Sequence, residues 1–95
     1  MTVKILIKRR VPDKQLEALN LLLRQFRALA IEQPGYISGE TMRRIDQPDE
    51  SLVISTWESA GDWDNWFNNP TRKSIQSQID VLLGSTTIWE VYGAG

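Results

Sequence analysis

The order in which two hydrophobic periods alternate along the chain is the feature that most constrains its fold. Apolar side chains recur at every second position in four segments, which predicts β-strands at 2–11, 36–45, 51–58 and 86–92. They recur at every third or fourth position in two further regions, at about 13–33 and 59–83, which predicts amphipathic helices. The resulting order, β-α-β-β-α-β, indicates an α+β fold of the ferredoxin-like type. We therefore expect a four-stranded antiparallel sheet with its helices on one face.

Residues that start and stop regular structure lie at the boundaries of these segments. Asp13 is a candidate N-cap for the first helix, and Ser59, with an acidic residue three positions later, is a candidate for the second helical region. The Asn-Asn-Pro sequence at 68–70 breaks that region into two helices, and Gly84 ends it. Gly39, inside the second strand, predicts a bulge or a close approach of another group to the backbone.

Composition limits the chemistry that the chain can carry. Its 95 residues support a single domain over 1–95, and its formal net charge of −1 offers no basic excess for binding nucleic acid. It contains no cysteine and no histidine, so it lacks reactive thiols, the usual general base near pH 7 and the commonest metal and haem ligands. No apolar stretch approaches the roughly 18 residues of a membrane helix, and Met1 begins a strand-like segment instead of a signal peptide. We expect a cytoplasmic protein without metal or cofactor that binds neither nucleic acid nor membrane.

Alternation along the strands assigns each side chain to one of the two sheet faces. The face expected to meet the helices carries Val3, Ile5, Ile7, Leu52, Ile54, Trp89 and Val91. The opposite face carries Leu6, Met42, Val53, Trp57, Ile88 and Tyr92. Because an apolar patch of this size is uncommon on the surface of a monomer, we expect a homodimer in which a second subunit covers it.

Three basic doublets are candidate anion-binding groups: Arg9-Arg10, Arg43-Arg44 and Arg72-Lys73. Doublets of this kind usually lie on a solvated surface or in ion pairs. Because side chains alternate along a strand, one arginine of each strand doublet faces inward, where it would suit a carboxylated or enolate ligand. The acidic residues are scattered and form no pair with the spacing of acid–base catalysis.

The chain has four tryptophans, which fall into two groups. Trp57 and Trp89 lie on predicted strands, which favours a place in the core or in an interface. Trp63 and Trp66 lie three residues apart beside Phe67, on one side of a short helix. Either these rings pack the helix on the sheet, or they line a pocket in which an indole stacks on a flat ligand and donates a hydrogen bond to it.

Several motifs together resemble the antibiotic biosynthesis monooxygenase family. They are Pro34-Gly35-Tyr36 after a long first helix, Thr56-Trp57-Glu58-Ser59 after a hairpin, and the Asp-Trp-x-x-Trp sequence at 62–66. The resemblance extends from about residue 2 to residue 92. It implies a ferredoxin-like dimer whose two sheets pack face to face into an α+β barrel, which agrees with the second apolar face.

The resemblance also implies what the chain does and does not do. The better-understood members of the family either oxidise aromatic polyketides with dioxygen, without metal or flavin, or degrade haem, and others are proposed to act on quinols. The haem-degrading branch uses an Asn on the first strand, a Trp in the second helical region and a His ten residues later. This chain matches only the Trp, as Trp66, and has Gln76 at the position of the His and Ile7 and Lys8 where the Asn is needed. Haem degradation is therefore not expected.

Two hypotheses follow from the resemblance and the residues. The first is a cofactor-independent monooxygenase that acts with dioxygen on a hydrophobic phenol, anthrone or quinol. Trp66 would be the catalytic residue, Glu40 a candidate base if burial raised its pKa, and the substrate would be bound by Trp63, Phe67, Tyr36, Arg43 and Gln76. The second is a non-catalytic dimeric module that keeps the cavity and binds a hydrophobic small molecule.

Overall fold

Four strands and three helices form the architecture of the chain in a computed structural model that describes residues 1–95. The elements are β1 (Val3–Arg10), α1 (Leu16–Ala30), β2 (Tyr36–Arg43), β3 (Glu50–Trp57), α2 (Ala60–Phe67), α3 (Pro70–Leu83) and β4 (Ile88–Gly93). A 3-10 turn at Asp13–Gln15 precedes α1. The strands form one antiparallel sheet in the order β2-β3-β1-β4. The predicted ferredoxin-like α+β fold is therefore confirmed.

Polar side chains fix the starts of α2 and α3. The hydroxyl of Ser59 accepts a hydrogen bond from the backbone N–H of Asp62 at 3.1 Å and donates one to its carboxylate at 2.9 Å, which confirms the predicted cap. Asn69 follows the end of α2 and caps α3, because its side-chain oxygen Oδ1 accepts hydrogen bonds from the backbone N–H groups of Thr71 and Arg72. These two caps fix the residues at which α2 and α3 begin.

The end of α3 agrees with the prediction from the sequence, and the start of α1 does not. Gly84 ends α3 with a φ of 65°, in the left-handed region that glycine tolerates best, as predicted. The prediction of Asp13 as the N-cap of α1 is wrong. Asp13 lies inside the 3-10 turn that follows Pro12 and makes no capping hydrogen bond, so α1 begins only at Leu16.

Strand register determines which side chains of β3 face the helices. Ile5 of β1 pairs with Ser55 of β3, and residues paired across antiparallel strands point to the same face. The sequence-based assignment of β3 is therefore wrong and must be reversed. Facing the helices are Val53, Ser55 and Trp57, and facing away from them are Leu52 and Ile54.

A buried hydrogen bond explains why alternation misled on β3. Trp57 is completely buried, and its indole N–H donates to the hydroxyl of Ser55 at 2.6 Å. The serine therefore satisfies a polar group that would otherwise lose its hydrogen bond on burial. A serine on the inner face looks like a surface residue in a hydrophobicity pattern, although here it belongs to the core.

The sheet face that no helix covers, called the open face below, is still apolar after this correction. Its large apolar side chains are Leu6, Met42, Leu52, Ile54, Ile88 and Tyr92. Met42, Ile88 and Tyr92 are each about half exposed. An ion pair between Lys8 and Glu90, at 3.0 Å, lies on the same face.

Two hydrophobic clusters hold the helices on the other face of the sheet. The first joins β1, β3 and α2 through Val3, Ile5, Ile7, Trp57, Trp63 and Trp66. The second joins α1 to α3 and includes Leu19, Ile75 and Ile79. Phe26 and Leu29 of α1 pack against both clusters. None of the helices combines the length and the hydrophobicity needed to cross a lipid bilayer.

Candidate active site

A cavity of about 370 Å³ lies between α1, α2 and the helix-facing side of the sheet. Its floor comes from β1, β2 and β3 through Ile7, Arg9, Thr41, Val53 and Ser55. Its walls come from α1 and α2 through Leu23, Phe26, Ala30, Trp63 and Trp66. The volume and the mainly apolar lining are typical of sites that bind small organic molecules.

Aromatic rings form the wall opposite the sheet. Trp66 is only 3% exposed and meets Phe26 edge to face, with 5.7 Å between the ring centroids. Trp63 meets Trp57 in a similar way at 5.9 Å. Whereas the indole N–H of Trp57 is bonded to Ser55, no hydrogen bond within the chain uses the N–H of Trp63 or Trp66. The residues of the cavity wall therefore include apolar rings and two indole N–H groups that make no hydrogen bond within the chain.

Arg9 brings a positive charge to the apolar floor of the cavity. It occupies the next inward position of β1 after Ile7 and is only 6% exposed. Its Nη2 donates to the side-chain oxygen of Gln76 at 3.3 Å, and its Nε is buried without a partner. Burial, and then the nearby charge of Arg72, lower the pKa of Arg9 to about 10. The guanidinium is therefore still protonated at neutral pH.

Arg72 lies outside the cavity, against the rings that form its wall. Its guanidinium carbon is 5.5 Å from the ring centroid of Phe26 and 5.7 Å from that of Trp63. Phe67 and Trp89 surround it further, at 4.6 and 5.4 Å. Burial lowers its pKa to about 10, although Asp80 opposes the shift. Arg72 thus fills an aromatic cage and holds α3 against α2.

The exposed part of the lining marks an opening between α1 and β2. Across this opening, Arg27 donates to the hydroxyl of Thr41 at 3.2 Å. Beside it, β2 has a register shift between Tyr36 and Ser38, and the hydroxyl of Tyr36 lies 2.8 Å from the place that a Cβ on Gly39 would occupy. The close approach predicted at Gly39 is confirmed, whereas the irregularity of the strand lies before it, between Tyr36 and Ser38, and Gly39 itself pairs with Ser55.

The acidic side chains do not converge on the cavity. Glu40 lies at its opening but pairs with Ile54 on the open face, so strand alternation directs its carboxylate away from the cavity. Glu40 is also exposed, so the burial that a role as base would require is missing. No group of three or more acidic side chains lies close enough together to hold a metal ion.

The residues singled out from the sequence fall into two sets. Trp66, Trp63 and Tyr36 line the cavity together. The other three lie outside it. Phe67 packs between Trp63 and Trp89, Arg43 lines a separate surface cleft, and Gln76 is buried behind Arg9.

Sequence reasoning did not assign several residues of the lining to the substrate site. Arg9 was considered only as part of a candidate anion-binding doublet, although it continues the inward series of Val3, Ile5 and Ile7. Phe26 lies on the apolar stripe of α1, where a cavity-lining ring and a core ring have the same spacing. Arg27 gave no signal, because only the packing of α1 over β2 brings it to the opening.

Comparison with known protein families agrees with this architecture. The family model described as antibiotic biosynthesis monooxygenase matches residues 2–78. The chain belongs to this family. The resemblance inferred from the sequence motifs is therefore confirmed. No curated protein sequence is significantly similar to the chain.

Solved structures with the same fold cover almost the whole chain. A conserved protein from Methanosarcina mazei superposes with a TM-score of 0.87 at 15% identity, over 97% of this chain and 91% of the other. A mutant form of SnoaB, a cofactor-independent oxygenase from Streptomyces nogalater, superposes with a TM-score of 0.84 at 17% identity, over 98% and 92%. Rv0793 from Mycobacterium tuberculosis gives 0.84 at 17% identity, over 99% and 95%. At these identities the likeness establishes the fold of this antibiotic biosynthesis monooxygenase family member.

The unused N–H of Trp66 leads to a prediction about ligand affinity. Trp66→Phe keeps most of the apolar volume and removes the donor, so the affinity for 2-naphthol should fall by about tenfold. The free energy of unfolding should change by only about 1 kcal/mol. Calorimetric titration and thermal unfolding measure the two effects.

Trp89→Phe is the matched control for this substitution. The N–H of Trp89 is also without a partner, but Trp89 lies outside the cavity. Its removal should leave the affinity for 2-naphthol unchanged. Equal affinities of the Trp66→Phe variant and the wild type would show that the indole does not contact the ligand.

Proposed function

We propose that the chain is a cofactor-independent monooxygenase that oxidises an electron-rich aromatic molecule with dioxygen. The observation that carries the proposal is the cavity of about 370 Å³, whose aromatic wall includes the buried Trp66 with an indole N–H that no hydrogen bond within the chain uses. Membership of the antibiotic biosynthesis monooxygenase family supports it. The fold shared with SnoaB, a cofactor-independent oxygenase, agrees with it.

An anthrone illustrates the chemistry that this site would serve. Loss of a proton gives an electron-rich anion that can transfer an electron to dioxygen. One oxygen atom then replaces the two hydrogens of the reacting methylene as a carbonyl, and the other leaves as water, so no further reductant is required. The protein would bind the ring against Phe26 and Trp66, exclude water, and hold the substrate oxygen on the indole N–H of Trp66.

Dioxygen consumption with a panel of substrates tests the proposal. The purified protein is incubated with menadiol and several anthrones, and uptake is followed against buffer alone. We expect faster uptake with at least one anthrone and a slower reaction for the Trp66→Phe variant. Rates equal to buffer across the whole panel would contradict the proposal.

One observation favours a second function, a non-catalytic module that binds a hydrophobic small molecule. Strand alternation directs Glu40, the one acidic residue of the lining, away from the cavity, and the chain has no histidine, so the cavity lacks an ordinary general base. A binding module requires the cavity but no base. Ligand binding without dioxygen uptake would favour this second function.

The open face supports a proposal about assembly. Its six large apolar side chains, with Ile54 near the centre between Leu6 and Glu40, have no covering element within the chain. A second copy would cover them through a two-fold, self-complementary interface of sheet on sheet. We therefore propose a homodimer in which each chain keeps its own cavity on the far side of its sheet.

A further inference from the structure

We infer that the cavity binds an aromatic ligand that carries an anionic oxygen, and that the guanidinium of Arg9 forms the ion pair with that oxygen. The inference deepens the proposed function, since it names the class of ligand for the same cavity. Its test measures binding and not turnover, so the two proposals can fail separately.

The hydrogen bonding of Arg9 is incomplete for a buried cation. A guanidinium has five N–H donors, and this one makes a single hydrogen bond, from Nη2 to Oε1 of Gln76 at 3.3 Å. Its Nε has no partner, and no carboxylate forms an ion pair with it. Arg9 is linked to Asp80 only through Gln76, whose side-chain amide donates a hydrogen bond to the carboxylate of Asp80 at 2.9 Å. A buried charge without a counter-ion is costly, which indicates that a partner is missing.

A second buried cation increases the shortage of negative charge. Arg72 is only 2% exposed, and its hydrogen bond goes to the neutral backbone carbonyl of Phe67 at 3.2 Å. Arg9 and Arg72 lie close enough for the charge of Arg72 to disfavour the protonated form of Arg9. Asp80 is the one acidic residue whose charge opposes the lowering of the pKa at both Arg9 and Arg72. The interior beside the cavity therefore has more positive than negative charge, and an anion in the cavity would balance it.

The position of Arg9 along β1 argues against a purely structural role. The inward positions before it carry Val3, Ile5 and Ile7, and a fourth apolar side chain would complete that row without burying a charge. The neighbouring Arg10 points to the other face and pairs with Asp49 at 3.1 Å. Of the two arginines, only Arg9 lines the cavity and lacks an acidic partner.

The aromatic residues of the lining favour an aromatic ring as the apolar part of the ligand. Phe26, Trp63 and Trp66 present flat apolar surfaces next to the guanidinium of Arg9 in the same cavity. An aromatic ring with an ionised carboxyl, phenol or enol group satisfies both features. Charge-assisted hydrogen bonds from an arginine to such an oxygen are stronger than neutral ones.

A pair of probes of equal shape and different charge tests the inference. Calorimetric titrations compare 2-naphthoate, an anion at pH 7, with neutral 2-naphthamide. We expect the wild type to bind 2-naphthoate at least about tenfold more tightly than 2-naphthamide. In Arg9→Gln this preference should disappear through a loss of naphthoate affinity, and Arg9→Lys should retain part of it.

A second arginine serves as the control. Arg10→Gln removes the same charge on the other face of the sheet, outside the cavity, and should keep the preference for 2-naphthoate. Circular dichroism shows whether each variant is folded, and the wild-type comparison stands even if Arg9→Gln does not fold.

Three results would overturn the inference. They are equal affinities of the wild type for the two probes, no binding of 2-naphthoate up to about 1 mM, and a preference that survives in Arg9→Gln. Dioxygen uptake with an anthrone but no preference for the anion would leave the monooxygenase proposal intact and refute only the role of Arg9.

Discussion

Replacing Ile54 by lysine should convert the proposed dimer into monomers. Ile54 lies on the open face, where β3 pairs with β1 and β2 on either side. In the dimer an ammonium group there would be buried in an apolar interface, which costs several kcal/mol unless it is paired. In the monomer the same group faces water beside Glu40, so the fold should be retained. Light scattering should report about 22 kDa for the wild type, twice the 10.9 kDa of one chain, and a single chain for the variant.

Val81→Lys is the matched control for the dimer prediction. Val81 is 84% exposed on α3, away from the open face, so the same charge introduced there should leave the dimer intact. A wild-type mass of about 11 kDa at micromolar concentration would contradict the dimer proposal. A stable dimer of the Ile54→Lys variant would show that the interface lies elsewhere.

Gly35→Ala should be among the most destabilising single substitutions in the chain. Gly35 has a φ of 84°, where any other residue is strained by about 1–2 kcal/mol. A Cβ at this position would also overlap the carboxylate side chain of Asp62, which accepts a hydrogen bond from the hydroxyl of the capping residue Ser59. The carbonyl of Gly35 accepts a hydrogen bond from the N–H of Glu58 at 2.7 Å, so the backbone has little freedom to move aside. We expect a loss of about 3 kcal/mol in the free energy of unfolding.

Gly84→Ala separates the two causes of that loss. Gly84 also has a positive φ, of 65°, but no atom lies within 4 Å of a Cβ placed there. Its substitution should therefore cost only the backbone strain, about 1 kcal/mol. Chemical denaturation of both variants measures the difference. Equal losses would show that the overlap with Asp62 is relieved by a small shift.

The segments and their order could be predicted because the two hydrophobic periods are clear and their boundaries carry strong signals. Ser59 and Gly84 act as predicted, since caps depend on only a few neighbouring residues. The faces of β3 could not be predicted, because apolar residues occupy both of its sides. The strand register determines which side chains of β3 face the helices, and that register depends on the pairing of Ile5 with Ser55, which are distant in sequence.

In the candidate site, too, the residues placed by local helical spacing could be predicted, whereas those placed by long-range packing could not. Trp63 and Trp66 were predictable because helical spacing brings them to one side of α2. Gln76 was selected for its position in the sequence, but α3 places it behind Arg9 and not in the cavity. The lack of a counter-ion for Arg9 appears only when β1, α3 and the cavity are seen together.

Turnover of an anthrone under ¹⁸O₂ tests the central claim most directly. The wild type and buffer alone are incubated with the same anthrone, and the rate of product formation and the mass of the product are measured. We predict a rate above that of buffer and a product that contains a single ¹⁸O atom, with the second atom in water. A rate no higher than that of buffer, or an enzyme-dependent product without ¹⁸O, would contradict the monooxygenase proposal.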